Sequence, residues 1–239
     1  CTTSYKSPSK EKLIQWFTNT SGATGAGTAP SRQEFVGKWA NTSNSISTIA
    51  QQNNQSGDYD TGSEVVVLGF DPDDSHTNNF WEELASVELG SSGDNLSSGT
   101  FTAKKYLWVQ YYIKTTTGQT DLFMTFNNDT STNYSERRSY NGATDSTATS
   151  RTELRLQTNV PSGDWWYGNM FLINNSSNEK LVIDHSVYIS ATGAATAPNR
   201  QEYVGKWANT SNQITEIEFT NADAGDYDTG SIIKVWGAD

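Results

Sequence analysis

An internal repeat constrains this chain more than any other feature. Residues 28–44 (TAPSRQEFVGKWANTSN) recur as residues 196–212 (TAPNRQEYVGKWANTSN), differing only at Ser31/Asn199 and Phe35/Tyr203. The offset of 168 residues holds without a gap from Glu11/Glu179 to Asp71/Asp239, with 35 of 61 positions identical. Repeated stretches this similar specify the same supersecondary unit twice. Residues 72–168 have no second copy. The chain is therefore expected to hold the C-terminal part of one module (residues 1–71) and one complete module (residues 72–239). A partial β module leaves strand edges and half a core uncovered. Its completion is expected from further modules of a longer tandem array or from another chain.

Nearly every segment reads as strand and turn. Residues 104–114 (KKYLWVQYYIK) are dense in aromatic and β-branched residues. Leu181, Ile183, Val187 and Ile189 alternate with Asp184 and Ser186, which predicts a half-buried strand with the aliphatic side inward. Ser231, Ile233 and Val235 alternate likewise and match Ser63, Val65 and Val67. Further strands are predicted over residues 81–89, 121–127, 134–140, 151–157 and 166–173. Clusters of Gly, Asn, Asp and Ser at 90–94 and 127–133 supply turns. No window sustains a 3.6-residue period. The expectation is an all-β fold: an antiparallel jelly-roll-like β-sandwich in tandem modules. Composition agrees, since 12% of residues are aromatic and each ring buries a large area.

Three stretches resemble a module of structural proteins from tailed phages and related archaeal viruses. They are WEELASVELGSSGDNL (81–96), FNNDTSTNYSERRSYNG (126–142) and the ending GKWANTSNQITEIEF…GDYDTGSIIKVWG (205–237). The ending is the most distinctive: an early Trp, an I-x-x-I strand, Gly-x-Tyr-x-x-Gly-Ser and a strand closing on Gly. The resemblance implies β-sandwiches in fibre, tail or capsid-surface proteins, located on a virion or an extracellular surface. Its implied partners are further copies of the same modules and, through the fibre, host-surface glycans. The resemblance covers the complete module from about Phe80 and, through the repeat, the partial one; the sequence is expected to start mid-module, and its opening on Cys1 reads as a processed or excised polypeptide.

Charge excludes some partners. The net charge is −11, and no basic cluster exceeds Arg137-Arg138, so the stripe that a nucleic-acid groove requires is missing. No run approaches 18 apolar residues, so no helical membrane span is expected. One cysteine permits no intrachain disulfide.

Catalytic signatures are missing, and no enzyme activity is expected. Of the two histidines, His76 has no metal-spaced neighbour, and His185 aligns with Phe17, which suits packing. Glu82 and Glu83 are adjacent and point to opposite faces of a strand; Glu88, Glu153 and Asp164 are the remaining candidates for a carboxylate pair. Calcium is the candidate ion, though no cofactor is required. The repeated DYDTGS motif offers Asp58, Asp60, Asp226 and Asp228, and the inter-module segment offers Asp71, Asp73 and Asp74 beside Pro72. The plainer reading is an Asp-stabilised turn and an extended Pro-stiffened linker. Trp39 and Trp207 are expected in cores. Trp165 and Trp166 are the candidate carbohydrate-binding pair, because alternation turns one of two adjacent rings outward. Sequons at Asn41, Asn128 and Asn209 would accept glycans if the chain is secreted.

Overall fold

The computed structural model describes residues 2–3, 11–68, 80–189 and 193–239. In chain order its strands are β1 Thr2–Thr3, β2 Lys12–Thr20, β3 Ser31–Trp39, β4 Glu82–Glu88, β5 Asn95–Ser97, β6 Tyr106–Thr116 and β7 Thr120–Phe126. There follow β8 Tyr134–Tyr140, β9 Ser146–Arg151, β10 Leu154–Val160, β11 Trp165–Ile173 and β12 Lys180–Ile189. The last are β13 Asn199–Trp207, β14 Ile217–Thr220, β15 Asp226–Tyr227 and β16 Ile232–Ala238. The described residues contain no helix. Chain contacts divide the protein into two compact units, Cys1–Trp16 with Glu34–Asn79 and Phe17–Gln33 with Phe80–Asp239. The larger unit thus takes in the tip of the β2–β3 hairpin.

The larger unit is a β-sandwich. One sheet runs β4-β16-β6-β11-β12-β13-β8-β9, with β15 paired to β6; the other runs β10-β7-β14-β5. Neighbouring strands in both sheets are antiparallel. The core lies between the sheets, built from alternate residues of each strand. β6 sends Leu107, Val109, Tyr111 and Ile113 inward, and β11 sends Trp166, Met170 and Leu172. They meet Leu122, Met124, Leu154, Leu156, Ile217 and Phe219 from the second sheet. Gly168 lies on the same inward face of β11, and any side chain there would overlap the Tyr111 ring.

β12 corrects the sequence reading. Its alternation is real, but the faces are reversed: Lys180, Val182, Asp184 and Ser186 are buried, while Leu181, Ile183 and His185 are half-buried and Val187 is exposed. Two of the inward polar residues have built-in partners there, while the buried Ser186 hydroxyl and one Asp184 oxygen have none among the described residues. The Tyr111 hydroxyl donates to Asp184 at 3.1 Å, and Lys180 donates to the carbonyls of Asn178 and Asn209 at 2.9 and 2.8 Å. The aliphatic face is the one that receives the tip of the β2–β3 hairpin.

That tip, Phe17–Gln33, lies on the outer side of β12, β13, β8 and β9. The Phe17 ring meets His185, its own repeat equivalent, with centroids 4.2 Å apart. Asn19 donates to the carbonyls of Val182 and Gly205 at 2.8 and 3.1 Å. Lys206 donates to the carbonyls of Ser21 and Ala23. The Ser150 amide donates to Ala26, Ser135 to Thr28 and Arg137 to Pro30. Arg32 closes the contact on Asp145 at 2.7 Å and Glu202 at 3.4 Å.

Among its described residues the smaller unit forms a strand pair and no sandwich. In the described residues β3 pairs only with β2, whose other edge carries β1. Residues 40–68 form no strand, although their equivalents form β14, β15 and β16. The pattern at Ser63, Val65 and Val67 is that of Ser231, Ile233 and Val235. Strands β4 and β6 flank β16 in the complete copy, and they belong to the segment that has no second copy. Without a neighbour, a strand's backbone groups have nothing to pair with.

Candidate functional site

The outer face of the larger sheet carries a row of aromatic side chains, of which Trp165, Tyr167 and Phe171 are exposed. Outward residues of β6 are Tyr106, Trp108, Gln110 and Tyr112; those of β11 are Trp165, Tyr167, Asn169 and Phe171. Strand register sets Trp236, Trp108 and Phe171 side by side across three strands. Their rings stand like books on a shelf. Trp108 stacks on Trp236 at 4.8 Å and on Phe171 at 6.0 Å, and Trp81 meets Trp108 at 5.9 Å. One register step away lies a polar row of Lys234, Gln110 and Asn169. Asn169 accepts from the Trp108 indole at 2.6 Å, and Gln110 donates to the Tyr167 hydroxyl at 3.0 Å.

This arrangement splits the predicted tryptophan pair. Trp165 is exposed, edge-on to Tyr112 at 6.3 Å. Trp166 is fully buried and stacks on Tyr188 at 4.4 Å, so it presents nothing to a ligand. Rings stacked on each other have used their faces, which leaves Trp165, Tyr167 and the free side of Phe171 for stacking on an external apolar surface. Sequence reasoning missed Trp108, Phe171 and Trp236. The signal was available, because the same alternation that sends Leu107 and Val109 inward sends Tyr106, Trp108 and Tyr112 out.

Two of the predicted ion ligands, Asp60 and Asp228, act as turn-formers. The Asp60 carboxylate accepts the Thr61 amide at 2.7 Å, and the Ser63 amide donates to the Asp60 carbonyl at 3.0 Å. Asp228 repeats both bonds with Thr229 and Ser231, and adds an ion pair with Lys114 at 3.2 Å. That lysine holds the Asp228 carboxyl below its usual range. Asp226 accepts from the Thr117 hydroxyl at 3.2 Å; Asp58 is exposed. Asp71, Asp73, Asp74 and His76 lie outside the described residues. Among the described residues no group of three His, Cys, Asp or Glu could hold a metal ion.

The carboxylate candidates do not assemble. Glu153 pairs with Arg155, and Asp164 is buried at a turn fastened by Thr115, where burial raises its pKa. No described hydrogen bond or ion pair joins either to Glu88. Two other buried acids are structural. Glu136 accepts from the Tyr203 hydroxyl at 2.9 Å and the Arg155 amide at 2.7 Å; burial still raises its pKa. Asp184, buried beside Tyr111, is pushed up to about 7 by desolvation, which the tyrosine bond only partly offsets. Lys180 is held down to about 8 by burial. A depression of about 270 Å³ lined by Arg138, Tyr140, Ser146 and Gln157 falls below the usual size of a small-molecule site.

No protein-family model matches the chain, and no curated protein or solved structure is significantly similar to it.

Proposed function

We propose that the chain is part of a non-enzymatic structural repeat protein of a virus particle or extracellular fibre, built from jelly-roll-like modules that associate with further copies of themselves. The observation that carries this reading is the bare first copy. Phe35, Trp39 and Tyr59 are 55%, 39% and 52% exposed, while their equivalents Tyr203, Trp207 and Tyr227 are 1%, 1% and 0% exposed. Residues chosen for a core but left at a surface mark an assembly contact. The resemblance of residues 81–96, 126–142 and 205–237 to phage and archaeal-virus modules supports the particle setting, and the net charge of −11 disfavours nucleic acid. Calcium has no role in this reading. Immunogold imaging of purified particles and surface filaments tests it: label along a particle or fibre is expected, and label confined to unassembled material overturns it.

A second reading, a carbohydrate-binding module or adhesin repeat, is favoured by one feature, the exposed ring of Trp165 beside Tyr167 on a sheet face edged with amide side chains. It predicts quenching or a shift of tryptophan emission on titration with a glycan panel, lost in Trp165→Ala. A flat response across the panel rejects it. The two readings coexist in a fibre that touches host glycans.

A further inference from the structure

In the first copy of the repeat the hairpin and the turn that follows it are preformed. Lys12 donates to the Asn41 carbonyl at 2.8 Å and lies 5.4 Å from the Trp39 ring. Lys180 does the same with Asn209 at 2.8 Å and with Trp207 at 5.5 Å. The Asn41 side chain accepts the amides of Ser43 and Asn44 at 2.8 Å each, and Asn209 accepts those of Ser211 and Asn212 at the same distances. The hairpin and the turn after it are therefore folded alike in both copies. What differs is the cover, and with it the strands β14, β15 and β16, whose equivalents within residues 40–68 are not formed.

In the complete copy the cover can be read residue by residue. Trp207 stacks on Tyr134, packs on Phe126 and donates to Asp129 at 2.7 Å. Tyr203 donates to Glu136, and Gly205 lies against Leu154. Tyr227 donates to the Asp121 carbonyl at 2.9 Å and exchanges backbone bonds with Gly93. Strand β8 pairs with β13 along its length, from Tyr140 opposite Gln201 to Tyr134 opposite Trp207. Every covering residue falls within residues 72–168, the segment present once.

We infer that the exposed apolar residues of the first copy, Phe35 and Trp39 on β3 with Tyr59, Val65 and Val67 in the segment after it, are docking residues for a second segment of the type of residues 72–168, supplied by an adjoining module. That segment lays a β8-like strand along the open edge of β3 and closes a sandwich over these residues, with pairing by backbone bonds and selectivity from the ring pockets. One position sharpens the identity of the occupant. Phe35 has no hydroxyl where Tyr203 has one, so a buried glutamate at the Glu136 position of the occupant would lose a donor. The natural occupant is expected to differ from this chain there.

The test is a chain in which a second copy of residues 72–168 is fused ahead of residue 1, compared with the unmodified chain by hydroxyl-radical footprinting and sedimentation. In the fused monomer, Trp39 and Tyr59 are expected to lose about tenfold in labelling, to the level of Trp207 and Tyr227. Phe35→Tyr in the fused chain is expected to raise its melting temperature further. Unchanged labelling of Trp39 with Trp207 protected overturns the inference. So does an unmodified chain that sediments as a dimer with Trp39 already shielded, because the occupant is then a second complete copy. If Trp207 also becomes exposed, the fusion has not folded. A separately made 72–168 polypeptide is then refolded with the unmodified chain: protection of Trp39 supports the inference, and continued exposure overturns it. None of these outcomes depends on whether the parent assembly is a virion or a fibre.

Discussion

The β2–β3 hairpin and the β12–β13 hairpin share most of their sequence and little of their environment. Trp207 is held by Tyr134, Phe126 and Asp129; Trp39 keeps only the part of its surroundings that the repeat itself carries, namely Lys12 and the Asn41 turn. Local sequence specifies the hairpin, its cap and its lysine–tryptophan contact in both places. Burial comes from elsewhere in the chain. The difference separates what a strand pair specifies alone from what it acquires in a sandwich.

Truncating the two tryptophans breaks the comparison most sharply. Trp207→Ala is expected to destabilise the larger unit by about 3–5 kcal/mol, the usual cost of removing a buried large ring. Trp39→Ala is expected to cost less, about 1–2 kcal/mol in the unmodified chain, since its ring is 39% exposed and keeps only the Lys12 contact and the turn beside it. Chemical denaturation of both variants checks this. Equal losses would show that the first copy already has a cover.

The next effect comes from a position where the copies disagree, Trp16 against Asp184. Burial raises the Asp184 carboxyl to about 7, so the folded state holds a proton that the unfolded chain has released. Stability from this group is complete below pH about 4, declines by about 1.4 kcal/mol per pH unit at most, and is lost above pH about 7. Asp184→Asn is therefore expected to flatten the pH profile between those limits and to stabilise the larger unit at pH 8. Glu136, whose pKa burial also raises, keeps a smaller slope of the same sign. Urea melts at pH 5 and pH 8 give the answer, and an unchanged slope in the variant refutes the assignment.

Much of the fold was legible in the sequence, and the errors have physical causes. Strands β6, β8, β11 and β16 follow from alternation, because burial on one face selects apolar residues at every second position. The same rule gave the wrong inward face for β12. It assumes that the aliphatic side seeks the core, whereas Tyr111 and the carbonyls of Asn178 and Asn209 hold the polar side there. Nothing local to residues 180–189 announces a tyrosine seventy residues earlier, or the segment Phe17–Gln33 that covers the aliphatic side. Trp165 and Trp166 were separable only as one ring out and one in; the register of β11 against β6 decides which. The DYDTGS turns were legible as turns, since the first Asp-Tyr-Asp sequence and its copy make matching bonds at Asp60 and Asp228.

A smaller effect tests the tip of the first hairpin. Arg32 holds Asp145 and Glu202, and its guanidinium keeps the Asp145 carboxyl below the ordinary range. Arg32→Ala is expected to loosen Phe17–Gln33 by about 1–2 kcal/mol, the scale of charge-assisted bonds in a partly exposed site. The readout is exchange of the Ser150 amide, which donates to Ala26 at 2.7 Å, together with a rise in the Asp145 pKa. Faster exchange at Ser150 with the core amides of β6 unchanged identifies local release of the tip. Unaltered exchange would mean that Asn19 and the backbone contacts suffice without the arginine.

The smallest expected effect is at His185, where the two copies touch each other. The residue is half-buried on the outer face of β12, and its ring meets Phe17 edge-on at 4.2 Å. Because Phe17 occupies the equivalent position in the first copy, the backbone of this strand type accepts a phenyl ring there. A phenyl ring at 185 also preserves an aromatic pair, worth about 0.5–1.5 kcal/mol beyond burial. His185→Phe is therefore expected to change stability by less than about 0.5 kcal/mol and to leave any glycan response at Trp165 intact. His185→Ala removes the pair and is expected to cost about 1 kcal/mol, expressed as faster exchange in Phe17–Gln33 rather than in the core. A large loss of binding in His185→Phe with stability unchanged would show that the imidazole contacts a ligand. It would then be this histidine, and not the exposed tryptophan, that marks the binding face.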